Sequence, residues 1–194
     1  MWYPFIINSH YNINMPVNMK IFLDIILFSK GPQDLPSSYN LYNIAILANL
    51  LIALISFTPD SQITLNLLNA VIFIVITIIF IKAALNIRDG VKESQIYSAR
   101  YIQVCTTVMG IHVAFVLLQG LLIILFVDSS EFSKDNISPD VAIIFILVSL
   151  YAWFVNGHIF KNALDTSMMF GLGVSILHNI SILFFTLIAL QILI

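Results

Sequence analysis

Charge is what this sequence has least of: 9% of its 194 residues are Asp, Glu, Lys or Arg, against 60% hydrophobic residues and a mean hydropathy of +0.99. Soluble domains carry about 25% charged and about 45–50% apolar residues, so this composition excludes an ordinary soluble globular domain. Eight scattered Lys and Arg are too few for a nucleic-acid footprint. One cysteine, Cys105, has no partner for an intrachain disulfide, and it reads as a small buried hydrophobe. Equally lacking are an HExxH pair, a carboxylate cluster suited to a metal, a Gly-rich phosphate loop, and a nucleophile with a base and an orienter. The expectation is a non-enzymatic protein with no cofactor and no metal. Met1 to Pro16 holds no Lys or Arg, so the cationic start of a cleaved signal peptide is missing too.

What is present is five long apolar runs, at 41–58, 63–85, 101–127, 141–160 and 168–194. A helix needs about 20 apolar residues to cross a hydrocarbon core of about 30 Å. The expected fold is therefore all-α, a polytopic membrane bundle of five transmembrane helices in one domain, residues 37–194. Residues 1–16 read as an N-terminal extension, and 17–36 as a short interfacial helix followed by a proline elbow. The apolar part of that segment, 17–29, reaches only about 20 Å as a helix. Lys20, Asp24 and Lys30 give it a polar edge, and Ile21, Phe22, Ile25, Ile26 and Phe28 an apolar face, which suits a helix lying on the membrane. A re-entrant stub against the bundle is the competing form. Gly31-Pro32-Gln33-Asp34-Leu35-Pro36 must stop the helix, since Pro lacks a donor and turns its predecessor from the helical region, and Ser37 or Ser38 then caps the first span.

The few cations are unevenly placed. Lys20 and Lys30 precede the first run, Lys82, Arg88, Lys92 and Arg100 lie around the second connection, and Lys161 lies in the fourth, whereas 58–62 and the acidic 128–140 hold five carboxylates and Lys134. The positive-inside rule puts the N-terminus in the cytoplasm and Ile194 on the far side, as in a bacterial inner membrane. Residues 86–100 read as the main cytoplasmic loop. Lys82, Arg88, Lys92, Arg100 and Lys161 become the candidate contacts to anionic headgroups or to a protein partner. The expected partners are the lipid bilayer and other membrane proteins or further copies of the chain, and no nucleic acid.

Inside the runs no Asp, Glu, Lys or Arg falls near a midplane, which argues against a proton-coupled pump. Amides such as Asn43, Asn49, Asn66, Asn69, Asn156 and Asn179 suit interhelical hydrogen bonds of about 0.6–2 kcal/mol each. Thr106, Gly110 and Ala114 recur at every fourth residue, as do Ser167, Gly171, Ser175 and Asn179, and these two smooth stripes predict that the third and fifth runs pack on each other. His112 and His178 fall at similar depths, the placing of an axial pair for a haem. Hydrogen bonding to neighbouring helices is their other reading. Asn66, Asn69, His112 and Asn179 are also the residues that would line a path in a small oligomeric channel or transporter.

The proline elbow, the five runs and the hairpin Trp153-Phe-Val-Asn-Gly-His-Ile-Phe-Lys-Asn-Ala-Leu-Asp-Thr-Ser-Met-Met-Phe-Gly-Leu-Gly-Val-Ser175 resemble the bacterial branch of the Yip1-domain family over about residues 20–194. That resemblance implies a five-span protein that organises membranes or partner proteins, as a scaffold or accessory subunit. Eukaryotic members carry an Asp-Leu-Tyr-Gly-Pro element and are implied to act in vesicle trafficking. This chain has Asp34-Leu35-Pro36 instead, so that role is not carried over.

Overall fold

Long runs of Leu, Ile, Val and Phe leave the backbone one solution in lipid, the helix, because every N–H and C=O then finds its partner in its own segment. The computed structural model describes residues 15–55, 62–126 and 139–193. The extension as far as residue 14, the connection at 56–61 and residues 127–138 of the acidic stretch lie outside the described residues. Within them the order is α1 (Met15–Ile26), α2 (Tyr39–Ala53), α3 (Ile63–Lys92), α4 (Tyr101–Phe126), α5 (Pro139–Leu164) and α6 (Met168–Leu193). Short 3-10 turns occupy Pro32–Asp34 and Ser98–Arg100, and the described residues contain no strand.

Four helices, α3 to α6, are long and apolar enough to cross a membrane. Their outer faces carry large exposed hydrophobics such as Leu121, Ile124, Leu147, Phe184 and Leu187, the surface that lipid covers and water would not tolerate. This is an integral membrane protein. The first apolar run differs from expectation, because α2 has 15 helical residues where 41–58 was expected to span. At 1.5 Å per residue that is about 22 Å, short of the hydrocarbon core. Ser38 caps it, its hydroxyl accepting from the Leu41 N–H at 3.4 Å.

The second run overshoots instead. α3 continues to Lys92, so about half of the expected 86–100 loop is α-helix, and 30 residues make a rod of about 45 Å that must leave the hydrocarbon at one end. There Asp89 closes the turn: its carboxylate accepts from the Tyr97 N–H at 3.0 Å, the Ser98 N–H at 2.8 Å and the Ser94 hydroxyl at 3.1 Å. Arg88 donates to the carbonyls of Leu164 and Asp165, both at 2.8 Å, and Arg100 donates to that of Asn162 at 3.4 Å. Both guanidinium groups also lie over the Tyr97 ring. The last carbonyls of α5 have no partner in their own helix, so these cations cap it. Arg88 and Arg100, expected to meet lipid or a partner, are therefore used by the chain itself. Lys82 and Lys92 are exposed, and Lys161 is half-buried.

The elbow is fastened at the same basic end. His158 lies 2.8 Å from the Lys30 carbonyl, Gln103 donates to the carbonyls of Leu35 and Gln33, and the Gly31 N–H donates to the Asp34 carboxylate at 2.8 Å. α1 rests on α4 and α5 with Ile21 and Ile25 buried, the Phe22 ring on Gly110, and the Tyr151 hydroxyl donating to the Ile26 carbonyl at 2.7 Å. Met19, Leu23 and Leu27 remain exposed along its other side. α2 then runs from this end to the far end, where it meets the start of α3.

α5 and α6 form the tightest hairpin. A Cβ on Gly171 would sit 2.2 Å from the Gly157 carbonyl oxygen and 2.7 Å from the Lys161 nitrogen, both backbone atoms. Gly171 thus serves contact with α5, and the expected close packing of the third and fifth runs is not found. α4 and α6 are not paired along their lengths, because α3 lies between them and touches both. Ala114 faces outward, Thr106 spends its hydroxyl on the Ile102 carbonyl at 2.7 Å, and exposed Ser167 accepts from the Phe170 N–H at the start of α6.

Gly171→Ala is expected to destabilise the bundle by about 1–3 kcal/mol, the usual cost of overpacking. Gly173→Ala two residues on, where nothing lies within 4 Å, should be neutral. Unfolding in mixed detergent micelles measures both, and equal stabilities would refute the close approach. The same assay should show Asp165→Gly stabilising by about 1 kcal/mol, because Asp165 ends α5 in the left-handed region at φ 48°.

Candidate functional site

Asn49 sits on the inner face of α2, 1% exposed, where an amide without partners would be costly. Its side-chain NH2 donates to the Ala45 carbonyl at 2.7 Å in its own helix and to the Met109 carbonyl of α4 at 3.0 Å. Its side-chain oxygen lies 2.8 Å from Nδ1 of His112, one turn further along α4. This three-way link ties α2 to α4. The Phe73 ring of α3 stacks on the His112 imidazole, with centroids 3.9 Å apart and planes at 22°.

Beyond this link toward the far end, α2, α3, α4 and α6 draw apart around a cavity of about 620 Å³. Its polar lining is Asn49 of α2, Asn66 and Asn69 of α3, His112 of α4, and Asn179 and Thr186 of α6. Ile52, Phe73, Val116 and Leu183 supply apolar wall, and among the described residues no charged side chain lines it. Four amides, an imidazole and a hydroxyl in an otherwise apolar chamber form a site for an uncharged, partly apolar guest: the polar groups orient and the apolar wall supplies contact.

Asn66, Asn69, His112 and Asn179, which the sequence offered as one path, do converge here. Asn179 accordingly lines the cavity and is no contact between α4 and α6. His178 does not line it. Its Nε2 lies 3.0 Å from the Thr77 hydroxyl, and its ring is surrounded by Phe73, Phe80 and Phe160. The alternative haem reading of the two histidines therefore does not fit. Phe73 lies against both imidazoles, where the macrocycle would have to enter, and Thr77 is within hydrogen-bond reach of the nitrogen that would bind iron. Buried Ser175 Oγ and His178 Nδ1 have no hydrogen-bond partner among the described residues.

Sequence reasoning passed over two parts of the site. Asn49 stood among the intramembrane amides without being linked to His112, since 63 residues separate them and only the fold brings them together. Thr186 carried no signal, because a lone Thr in an apolar helix ordinarily bonds to its own backbone.

Asn49→Ala should cost about 2 kcal/mol, because it strands a buried imidazole N–H as well as losing the bridge to α4. A double-mutant cycle with His112→Ala in mixed micelles should yield a coupling of about 1 kcal/mol. Strict additivity would show that the two residues do not act as a pair.

Comparison with protein-family models, with curated proteins and with solved structures gave no match for this chain.

Proposed function

We propose that this chain is a non-enzymatic membrane protein with five spans whose working part is the far-end cavity, which holds a small uncharged molecule. The observation that carries this reading is that hydrogen-bonding groups from four helices, Asn49, Asn66, Asn69, His112 and Asn179, converge on one open cleft whose described lining carries no charge. Isolated amides scattered on lipid-facing surfaces would have served no such end. A chamber of about 620 Å³ lies within the ordinary range for small-molecule sites.

Five spans are supported by the course of α2, which starts beside the elbow at the basic end and finishes in the cavity wall at the other. The exposed Lys82 and Lys92 at the basic end support a cytoplasmic placing of that end. In this orientation the cavity faces the outer side. A periplasmic-type phosphatase fused after Ile194 should be active and one fused at Gln95 inactive; the reverse pattern would overturn the orientation.

The occupancy itself is checked by extracting the protein in native lipid discs and analysing the organic extract by mass spectrometry. Wild type should carry an uncharged compound in amounts comparable to the protein, and the triple variant Asn66→Leu, Asn69→Leu, Asn179→Leu should lack it. Identical extracts would refute a binding role. Flux of uncharged solutes into proteoliposomes, lost in the same variant, would extend the reading to a transporter. A Yip1-like scaffold or accessory subunit is the second reading, favoured by the two exposed lysines at the basic end, and it calls for a co-purifying protein lost on Lys82→Glu with Lys92→Glu.

A further inference from the structure

The hydrogen bonds around Asn49 dictate where the proton of His112 sits. Two carbonyl oxygens, of Ala45 and Met109, lie 2.7 Å and 3.0 Å from one end of the Asn49 amide. Only the NH2 end can face two acceptors, so the other end is the oxygen. That oxygen accepts, and the group 2.8 Å away, His112 Nδ1, must donate. A neutral imidazole carries one proton, and Nδ1 holds it. Nε2 is then a bare lone pair.

His112 lines the cavity, and with Asn49 taking its Nδ1 edge and Phe73 covering one face, the Nε2 edge and the other face are the parts of the ring left for the cavity. Nε2 has no hydrogen-bond partner among the described residues. We infer that His112 presents Nε2 to the cavity as an obligate acceptor, and that the cavity selects uncharged molecules bearing a hydroxyl or N–H donor over ethers and carboxylates. The inference rests on the binding role proposed for this cavity and names its ligand class. The amides of Asn66, Asn69 and Asn179 serve donors and acceptors alike, so they supply affinity without this preference. His112 decides the sign of the hydrogen bond. A carboxylate has no donor to offer it and meets no cation among the described residues of the wall to offset its desolvation.

The test uses the whole protein in lipid discs with nitrogen-15 in its histidine and asparagine side chains. The His112 signals are identified by their loss in His112→Asn. His112 should show its proton on Nδ1 and a bare Nε2. Benzyl alcohol should move the Nε2 signal, while benzyl methyl ether and benzoate, lacking the donor, should leave it in place. Benzyl alcohol should bind about tenfold more weakly to His112→Asn, which keeps a donor toward Asn49 but has no acceptor at the Nε2 position. His112→Gln, which can place an oxygen there, should recover part of the loss. Discs doped with dioleoylglycerol separate sources: an Nε2 shift without benzyl alcohol assigns a lipid-borne hydroxyl, and a shift only on adding the alcohol assigns a soluble donor.

A proton found on Nε2 overturns the inference outright. If alcohol and ether move the Asn66, Asn69 and Asn179 signals alike and bind with equal affinity, the cavity binds guests but His112 does not choose among them. If none of the probes moves any of these signals, the binding role falls and the inference with it.

Discussion

A hydrogen-bonding group in hydrocarbon has no water to fall back on, and this one constraint organises the described structure. Apolar side chains gain little by choosing one another over lipid tails, so they do not dictate which helices pair. Polar groups do, because a partner in the protein is worth more to them than anything lipid offers. Asn49 joins α2 to α4 through Met109 and His112, while Arg88 and Arg100 join α3 and α4 to the end of α5. Where the pairing is made by shape alone, as between α5 and α6, it needs glycines that let backbones touch.

The two ends of the bundle meet that constraint differently. At the basic end every visible device closes the structure: the Asp89 turn, the two arginines on the α5 terminus, and the elbow held by Gln103 and His158. At the far end α2 stops after 15 helical residues, and α4 and α6, kept apart by α3, leave a gap. Apolar walls alone would fill with lipid or collapse. Asn66, Asn69 and Asn179 in its lining are the groups on which the proposed binding role rests.

How much of this was readable depended on the range of the interaction. Some local signals worked: Ser38 capped α2, and four of the five long apolar runs became long helices, whereas α1 ends at Ile26 with Phe28 at φ 60°, before the prolines are reached. Signals that need a partner's identity did not. The stripe Ser167, Gly171, Ser175, Asn179 suggested α4 as a neighbour, but Gly171 approaches α5, reached through a three-residue connection. His112 and His178 read as matched in depth, yet Phe73 packs against both, stacked on the first and edge-on to the second. Arg88 and Arg100 read as solvated loop cations because nothing local shows that the α5 carbonyls end beside them.

By itself, then, the sequence determined the solvent, the class of fold and the approximate places where helices begin and end, because hydropathy, proline and capping act over a few residues. Only the tertiary structure decided which helices are neighbours, which cations remain free, and that Asn49, Asn66, Asn69, His112 and Asn179 share one chamber. The physical reason is that a helix of uniformly apolar surface carries almost no record of its own orientation. Its rotation is fixed by a handful of polar and small residues, and their meaning appears only when the partner helix is in place.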